Sequence, residues 1–167
     1  MFVDEYTIRR WTQSAWSHLG LELPCDLHCV CDHLGLNIES IESCVQVPGY
    51  YVPGVSVIGL NNYITQSRLR FTLAHEIGHH IIGQATGHKY TVDVPRWMER
   101  LCDRFATELL MPADLVREQA SDLGHPDRHD KTGTLAARFD VSISAMRYRL
   151  RELGLTSKTK TSAIIHY

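Results

Sequence analysis

An α+β fold is expected, a small β-sheet packed with several helices, and three observations predict it. Segments with apolar residues at helical intervals occupy both halves of the chain. Three β-rich segments cluster between residues 36 and 60, and Gly or Pro stands at most of the boundaries. With 167 residues, 44% hydrophobic and 22% charged, one domain can bury a core without staples.

The elements follow in order. Tyr6, Ile8, Trp11, Ala15, Trp16 and Leu19 recur at helical intervals and predict a helix over 5–19, ended by Gly20. Pro24 is expected to open a second helix, over 24–34, that stops at Gly35. Leu36 to Ile41 reads as a strand. Tyr50 to Val52 and Val55 to Leu60 read as a hairpin around Pro53-Gly54, and Tyr63 to Thr65 continue the sheet after a turn at Asn61-Asn62. A helical pattern over 67–82 ends at Gly83, and 84–94 reads as a loop. Pro95 suits the first turn of a helix over 95–110, Pro112 starts another to about Leu123, and 124–130 is a polar break. Leu135 to Phe139 and Ser142 to Leu153 complete the helical set.

Several functional classes drop out on composition. No apolar run approaches the roughly 20 residues needed to span a bilayer. Met1-Phe2-Val3-Asp4-Glu5 places acid where a signal peptide needs positive charge, so a cytoplasmic location is expected. Five cysteines cannot all pair, and Cys25, Cys29 and Cys31 form no C-x-x-C, so Cys25, Cys29, Cys31, Cys44 and Cys102 read as reduced thiols. Charge divides the chain. Residues 1–127 carry nine Lys/Arg against sixteen Asp/Glu, whereas 128–167 carry eight against three. The division marks an acidic body, 1–127, and a basic C-terminal segment, 128–167, that reads on charge alone either as a solvated helical face or as a surface for something anionic.

The chemistry is concentrated in His75-Glu76-Ile77-Gly78-His79, inside the expected helix 67–82. Ligands at i and i+4 lie one turn apart, so both imidazoles leave the same face and can grip one metal ion. Glu76 stands beside the first ligand, placed to act as a base on water without binding the metal. A catalytic zinc site needs a third protein ligand and an open position. Glu99 and Asp103 supply carboxylates at i and i+4 on the helix 95–110. The expected division is Glu99 on the metal and Asp103 on the outward N–H of a ligand histidine, with the reverse assignment as the alternative. Alone, this helix reads more readily as a solvated acidic face balanced by Arg96, Arg100 and Arg104, and the paired histidines upstream reverse that. His80 points about 100° away from His79 around the helix. His88 and Tyr90, in the loop beyond, are candidates to donate a hydrogen bond to a developing oxyanion. Two imidazoles and a carboxylate suit zinc, with manganese or iron as substitutes.

Two blocks carry a resemblance. Arg68 to His79, reading R-L-R-F-T-L-A-H-E-I-G-H, and Glu99 to Pro112, reading E-R-L-C-D-R-F-A-T-E-L-L-M-P, are similar to the ImmA/IrrE family of zinc metallopeptidases. The resemblance covers roughly residues 5–155. It implies a zincin-like core over 1–127, metal ligands at His75, His79 and Glu99, and Glu76 as general base. It also implies a helix-turn-helix repressor as the protein substrate, cleaved to relieve repression in a phage, mobile element or stress response. The chain is short against the longer members, and no room for their C-terminal sensory domain is expected.

The C-terminal segment has helix-turn-helix character of its own. Leu135 to Phe139 lead into a turn at Asp140-Val141, Ser142 can cap, and a basic second helix ends at Gly154. Arg147, Arg149 and Arg151 are read as surface cations, for phosphates or for an anionic protein face, with Tyr148 beside them. Docking of the repressor, or a structural pair of helices, is the preferred reading, and nucleic acid the weaker one. The rival functional reading is a DNA-binding or repressor-sequestering regulator whose metal is a structural clip. A glutamate beside an open coordination position argues against it.

Overall fold

A computed structural model describes residues 2–41, 47–88, 94–123 and 128–156, with backbone only over 128–130. Its elements are α1 (Glu5–Leu19), α2 (Leu27–Leu34), β1 (Asn37–Ile41), β2 (Gly49–Val52), a 3₁₀ turn (Pro53–Val55), β3 (Val57–Asn61), α3 (Gln66–Thr86), α4 (Arg96–Leu110), α5 (Ala113–Asp122), α6 (Arg128–Phe139) and α7 (Ile143–Glu152). The fold is α+β, helical with one three-stranded sheet. No described helix is long and apolar enough to cross a membrane.

Local chemistry explains the boundaries, including those that differ from expectation. Asp4 caps α1 by accepting from the Thr7 N–H at 2.8 Å. The second helix starts at Leu27 rather than Pro24, because the Asp26 carboxylate accepts from the N–H groups of both His28 and Cys29. The sheet ends at Asn61 and does not continue through Tyr63 to Thr65. Asn61 Oδ1 accepts from the Tyr63 N–H at 3.0 Å, which turns the chain into α3. That helix runs past Gly83 to Thr86. A glycine costs a helix interior only about 1 kcal/mol. Ile82 and Gly83 are buried, and Gly87 takes the left-handed conformation (φ 68°) that ends the helix. α6 begins at Arg128, inside the expected polar break, where no apolar stripe announces a helix.

The sheet order is β1-β3-β2, with β1 parallel and β2 antiparallel to β3. Tyr51 pairs with Ile58 and Tyr50 with Gly59, which leaves the outer edge of β2 without a strand partner among the described residues. One core joins α1, α2, β3 and α3 to α7 around Ile8, Leu27, Ile58, Ile77, Phe105, Leu109, Phe139 and Leu150.

Closest approach within that core falls between α3 and α4. A Cβ at Gly78 would lie 3.2 Å from Cys102 Cα and 3.3 Å from Phe105 Cδ1, so the absent side chain lets the two backbones meet. The approach brings His75 and His79 against the Glu99 face of α4.

The basic segment holds the main correction. Arg149 is 0% exposed and is no surface cation. Its Nη2 donates to Glu108 Oε2 at 2.6 Å, Nη1 to Glu152 Oε2 at 2.8 Å and Nε to the Met111 carbonyl at 3.0 Å. Met146, Arg149 and Leu150 share the inward stripe of α7, so the arginine is drawn in with its apolar neighbours. Arg147, Tyr148 and Arg151 face outward. Ser142 caps α7 by accepting from the Ala145 N–H at 3.1 Å. Arg70 of α3 pins the α6–α7 turn through a 3.0 Å ion pair with Asp140.

Candidate metal centre

α3 presents His75 and His79 one turn apart, and their Nε2 atoms lie 3.0 Å from each other. From α4, Glu99 Oε2 reaches to 3.3 Å from His75 Nε2, and Oε1 to 3.4 Å from His79 Nε2. Asp103 Oδ1 lies 2.9 Å from His75 Nδ1. The structure therefore brings Glu99 to the inner nitrogens of both histidines and Asp103 to the outer nitrogen of one.

These distances test the fit of a metal. Zinc bonds of about 2.0–2.1 Å at tetrahedral angles separate donor atoms by about 3.3 Å. The three contacts among His75, His79 and Glu99 fall around that value. An Nδ1–H on His75 that donates to Asp103 leaves the Nε2 lone pair turned inward, the tautomer a ligand needs.

Electrostatics agree. Burial, aided by His75, pushes His79 down to about 4, so its ring is neutral at pH 7 with a lone pair to give. Burial also lowers His75. Its hydrogen bond with Asp103 and the charges of Glu76, Asp103 and Glu99 outweigh that and hold it above its ordinary value. Glu76 is pushed up to about 7, chiefly by burial and further by Glu99, against the opposing effects of His75 and of the Tyr51 main-chain N–H that donates to its carboxylate. A carboxyl poised near neutrality can take and return a proton at working pH.

The centre opens into a cleft of about 560 Å³ lined by Gly49, Tyr50, Tyr51, Arg68, Phe71 and Thr72, together with His75, Glu76, His79 and Glu99. Tyr51 does more than line it. Its hydroxyl lies 2.7 Å from His80 Nδ1, and Gln84 Nε2 lies 3.2 Å from His80 Nε2. With the Gln84 amide donating, the ring carries its proton on Nδ1 and donates to the phenol oxygen. His80 thus anchors β2 to α3 while the same strand holds Glu76.

His88 packs against Trp97, with ring centroids 6.2 Å apart, and is not among the residues lining the cleft; Tyr90 lies outside the described residues. Among the lining side chains with a donor, Tyr50, Arg68 and Thr72 have no hydrogen-bond or ion-pair partner among the described residues, and the long Tyr50 and Arg68 side chains are the ones that can reach across the cleft. Sequence reasoning gives Tyr51 no role in the site and reads Cys102 only as a reduced thiol. The ligand atoms of His75, His79 and Cys102 all lie within 4.8 Å of one another. The spacing Glu99-x-x-Cys102-Asp103, one turn of helix, was the available signal for the thiol. Nothing local announces Tyr51.

Comparison with known proteins agrees with the two motif blocks. The chain is 35% identical over 114 residues to the radiation response metalloprotease IrrE of Deinococcus deserti, a match covering 64% of this chain and 40% of that protein. It is 32% identical over 115 residues to the protein of the same name from Deinococcus radiodurans, covering 62% and 33%. The match thus spans well under half the length of either relative. In structure it is similar to a transcriptional regulator of Mycobacterium tuberculosis, with a TM-score of 0.60 at 14% identity over 87% of this chain and 46% of that one. That likeness concerns the fold alone. The model of the IrrE N-terminal-like domain matches residues 33–151, most of the chain, and the protein belongs to the ImmA/IrrE family.

Proposed function

We propose that the chain is a zinc-dependent endopeptidase of zincin-like core that cuts a helix-turn-helix repressor. One observation carries the reading: two imidazole nitrogens and a carboxylate converge at 3.0–3.4 Å beside a buried glutamate on the wall of an open cleft. His75, His79 and Glu99 would hold the metal. Bound there, zinc would supply Lewis acidity toward a peptide carbonyl and acidify water.

The protein's own residues do the rest. Glu76, oriented by the Tyr51 N–H, takes a proton from water and delivers it to the leaving nitrogen. Asp103 fixes the His75 ring. The open edge of β2 offers main-chain groups to an extended substrate segment, and Tyr50 or Arg68 replaces His88 as the donor to a developing oxyanion. The proposed division assigns this machinery to residues 1–127. The family resemblance supports the repressor as substrate and the cytoplasm as the place of action.

Elemental analysis tests the site. Protein purified without added metal should hold about one equivalent, zinc rather than manganese or iron, and His75→Ala or His79→Ala should lose it. Undiminished metal in both variants would sink the assignment. The two carboxylates should fail differently. Glu99→Ala is expected to lose metal outright, whereas Asp103→Ala keeps the site with roughly 10–100-fold weaker affinity. The opposite order would make Asp103 the ligand.

Residues 128–167 form, in this proposal, a helix-turn-helix-like unit whose outer face docks the repressor. Exposed Arg147, Tyr148 and Arg151 support that reading, while buried Arg149 subtracts one cation from any phosphate contact. Arg147→Ala with Arg151→Ala should slow repressor cleavage and spare a short peptide substrate. Duplex DNA binding that falls steeply with salt and disappears in that variant would favour nucleic acid instead.

A further inference from the structure

Cys102 sits on the inner side of the metal-facing surface of α4, one turn beyond Glu99, and is 0% exposed. Packing alone explains why the residue is small, since Gly78 lies against its backbone. Packing does not ask for sulfur. The thiol is in no disulfide and in no hydrogen bond among the described residues, and its Sγ is within 4.8 Å of ligand nitrogens of both His75 and His79. A zinc–sulfur bond of about 2.3 Å with zinc–nitrogen bonds of about 2.0 Å separates the donors by about 3.5 Å at tetrahedral angles. The 4.8 Å limit exceeds that separation by about 1.3 Å at most, which is the movement a bound metal has to draw from the donors.

Counting donors gives the consequence. His75, His79 and Glu99 leave a fourth position open, as catalytic sites do, whereas a fourth protein ligand closes a zinc site. We propose that Cys102 is an inner fourth ligand whose sulfur closes the metal site and holds the peptidase at rest, and whose withdrawal opens it. The inference deepens the metallopeptidase reading and rests on it. The exchange is redox-neutral: the S–H bond breaks, its proton passes to solvent, and the sulfur electron pair goes to the metal.

Cobalt(II) reports the ligand set directly. Wild-type protein loaded with one equivalent should show visible ligand-field bands together with a near-ultraviolet thiolate-to-cobalt charge-transfer band. Cys102→Ala should keep the first and lose the second. Zinc X-ray absorption of the wild type needs no variant and should place one sulfur at about 2.3 Å. At equal zinc loading, Cys102→Ala should hydrolyse a proteome-derived peptide library faster than wild type. Ligand-field bands without charge transfer in the wild type, a charge-transfer band that persists in Cys102→Ala, or a zinc shell without sulfur would each overturn the proposal and leave the three-ligand site standing. Equal peptide rates would overturn the resting role of the thiol. Absence of both kinds of band would overturn the metal site itself.

Discussion

Replacing Glu76 by glutamine is expected to leave the metal content of the wild type and to slow peptide hydrolysis by about 100- to 10,000-fold. Glutamine keeps the size of the side chain and can still accept the Tyr51 N–H, so the local fold is retained. What disappears is the carboxylate proposed to cycle a proton between water and the leaving nitrogen. Burial gives that group its value, because it raises the carboxyl to about 7 while a glutamate in water titrates near 4.5. The measurement is cleavage of a peptide library followed by mass spectrometry, beside elemental analysis of the same preparation. Wild-type rates with full metal would show that Glu76 is not the base. Lost metal would place the glutamate among the ligands. A regulator that binds and never cuts predicts no change at all, so the single variant separates the peptidase from its rival.

How much of this could be read from the chain depends on how far apart the partners stand. His75 and His79 are legible because a helix converts a spacing of four into a shared face. Glu99 and Asp103 are legible for the same reason, and pairing two such faces needed only that α3 and α4 meet, which Gly78 permits. The sheet was legible through its β-branched runs. The limits of α3 and α6 were not, since a glycine inside a helix and a polar first turn carry little local signal. Contacts across the fold were hidden as well. Tyr51 meets His80 across 29 residues, and Arg149 meets Glu108 across 41. Yet one clue stood in plain view: Met146, Arg149, Leu150 and Leu153 form a helical stripe, and an arginine inside an apolar stripe points to a buried partner. Cys102 is legible only through its spacing to Glu99 and Asp103, since its spacing to the other cysteines carries no signal.

Arg149→Ala is expected to cost about 3–5 kcal/mol of a total stability of about 5–15 kcal/mol. The cost arises less from the lost attraction than from what remains. Glu108, with a side chain only 2% exposed, keeps its charge in the interior and loses its shortest partner. Arg104 at 2.8 Å and Arg9 at 3.4 Å still reach Glu108 Oε1, which favours the lower end of the range. Denaturant unfolding measures it. Arg149→Met combined with Glu108→Leu removes both charges and should be milder than Arg149→Ala, because no buried ion is left alone. The pH dependence follows from Glu152. Burial pushes its carboxyl up, but hydrogen bonds from Arg104 and Arg149 and their charges prevail and hold it below 4.5. A lowered carboxyl adds stability that is complete above the unfolded value near 4.5 and is lost as pH falls through the folded value. The acid side of the stability curve should therefore flatten in Arg149→Ala, while the neutral plateau drops. A variant within about 1 kcal/mol of wild type would mean that α7 is not tied to α4 by this network. Arg149 would then have to be returned to the surface, with Arg147 and Arg151.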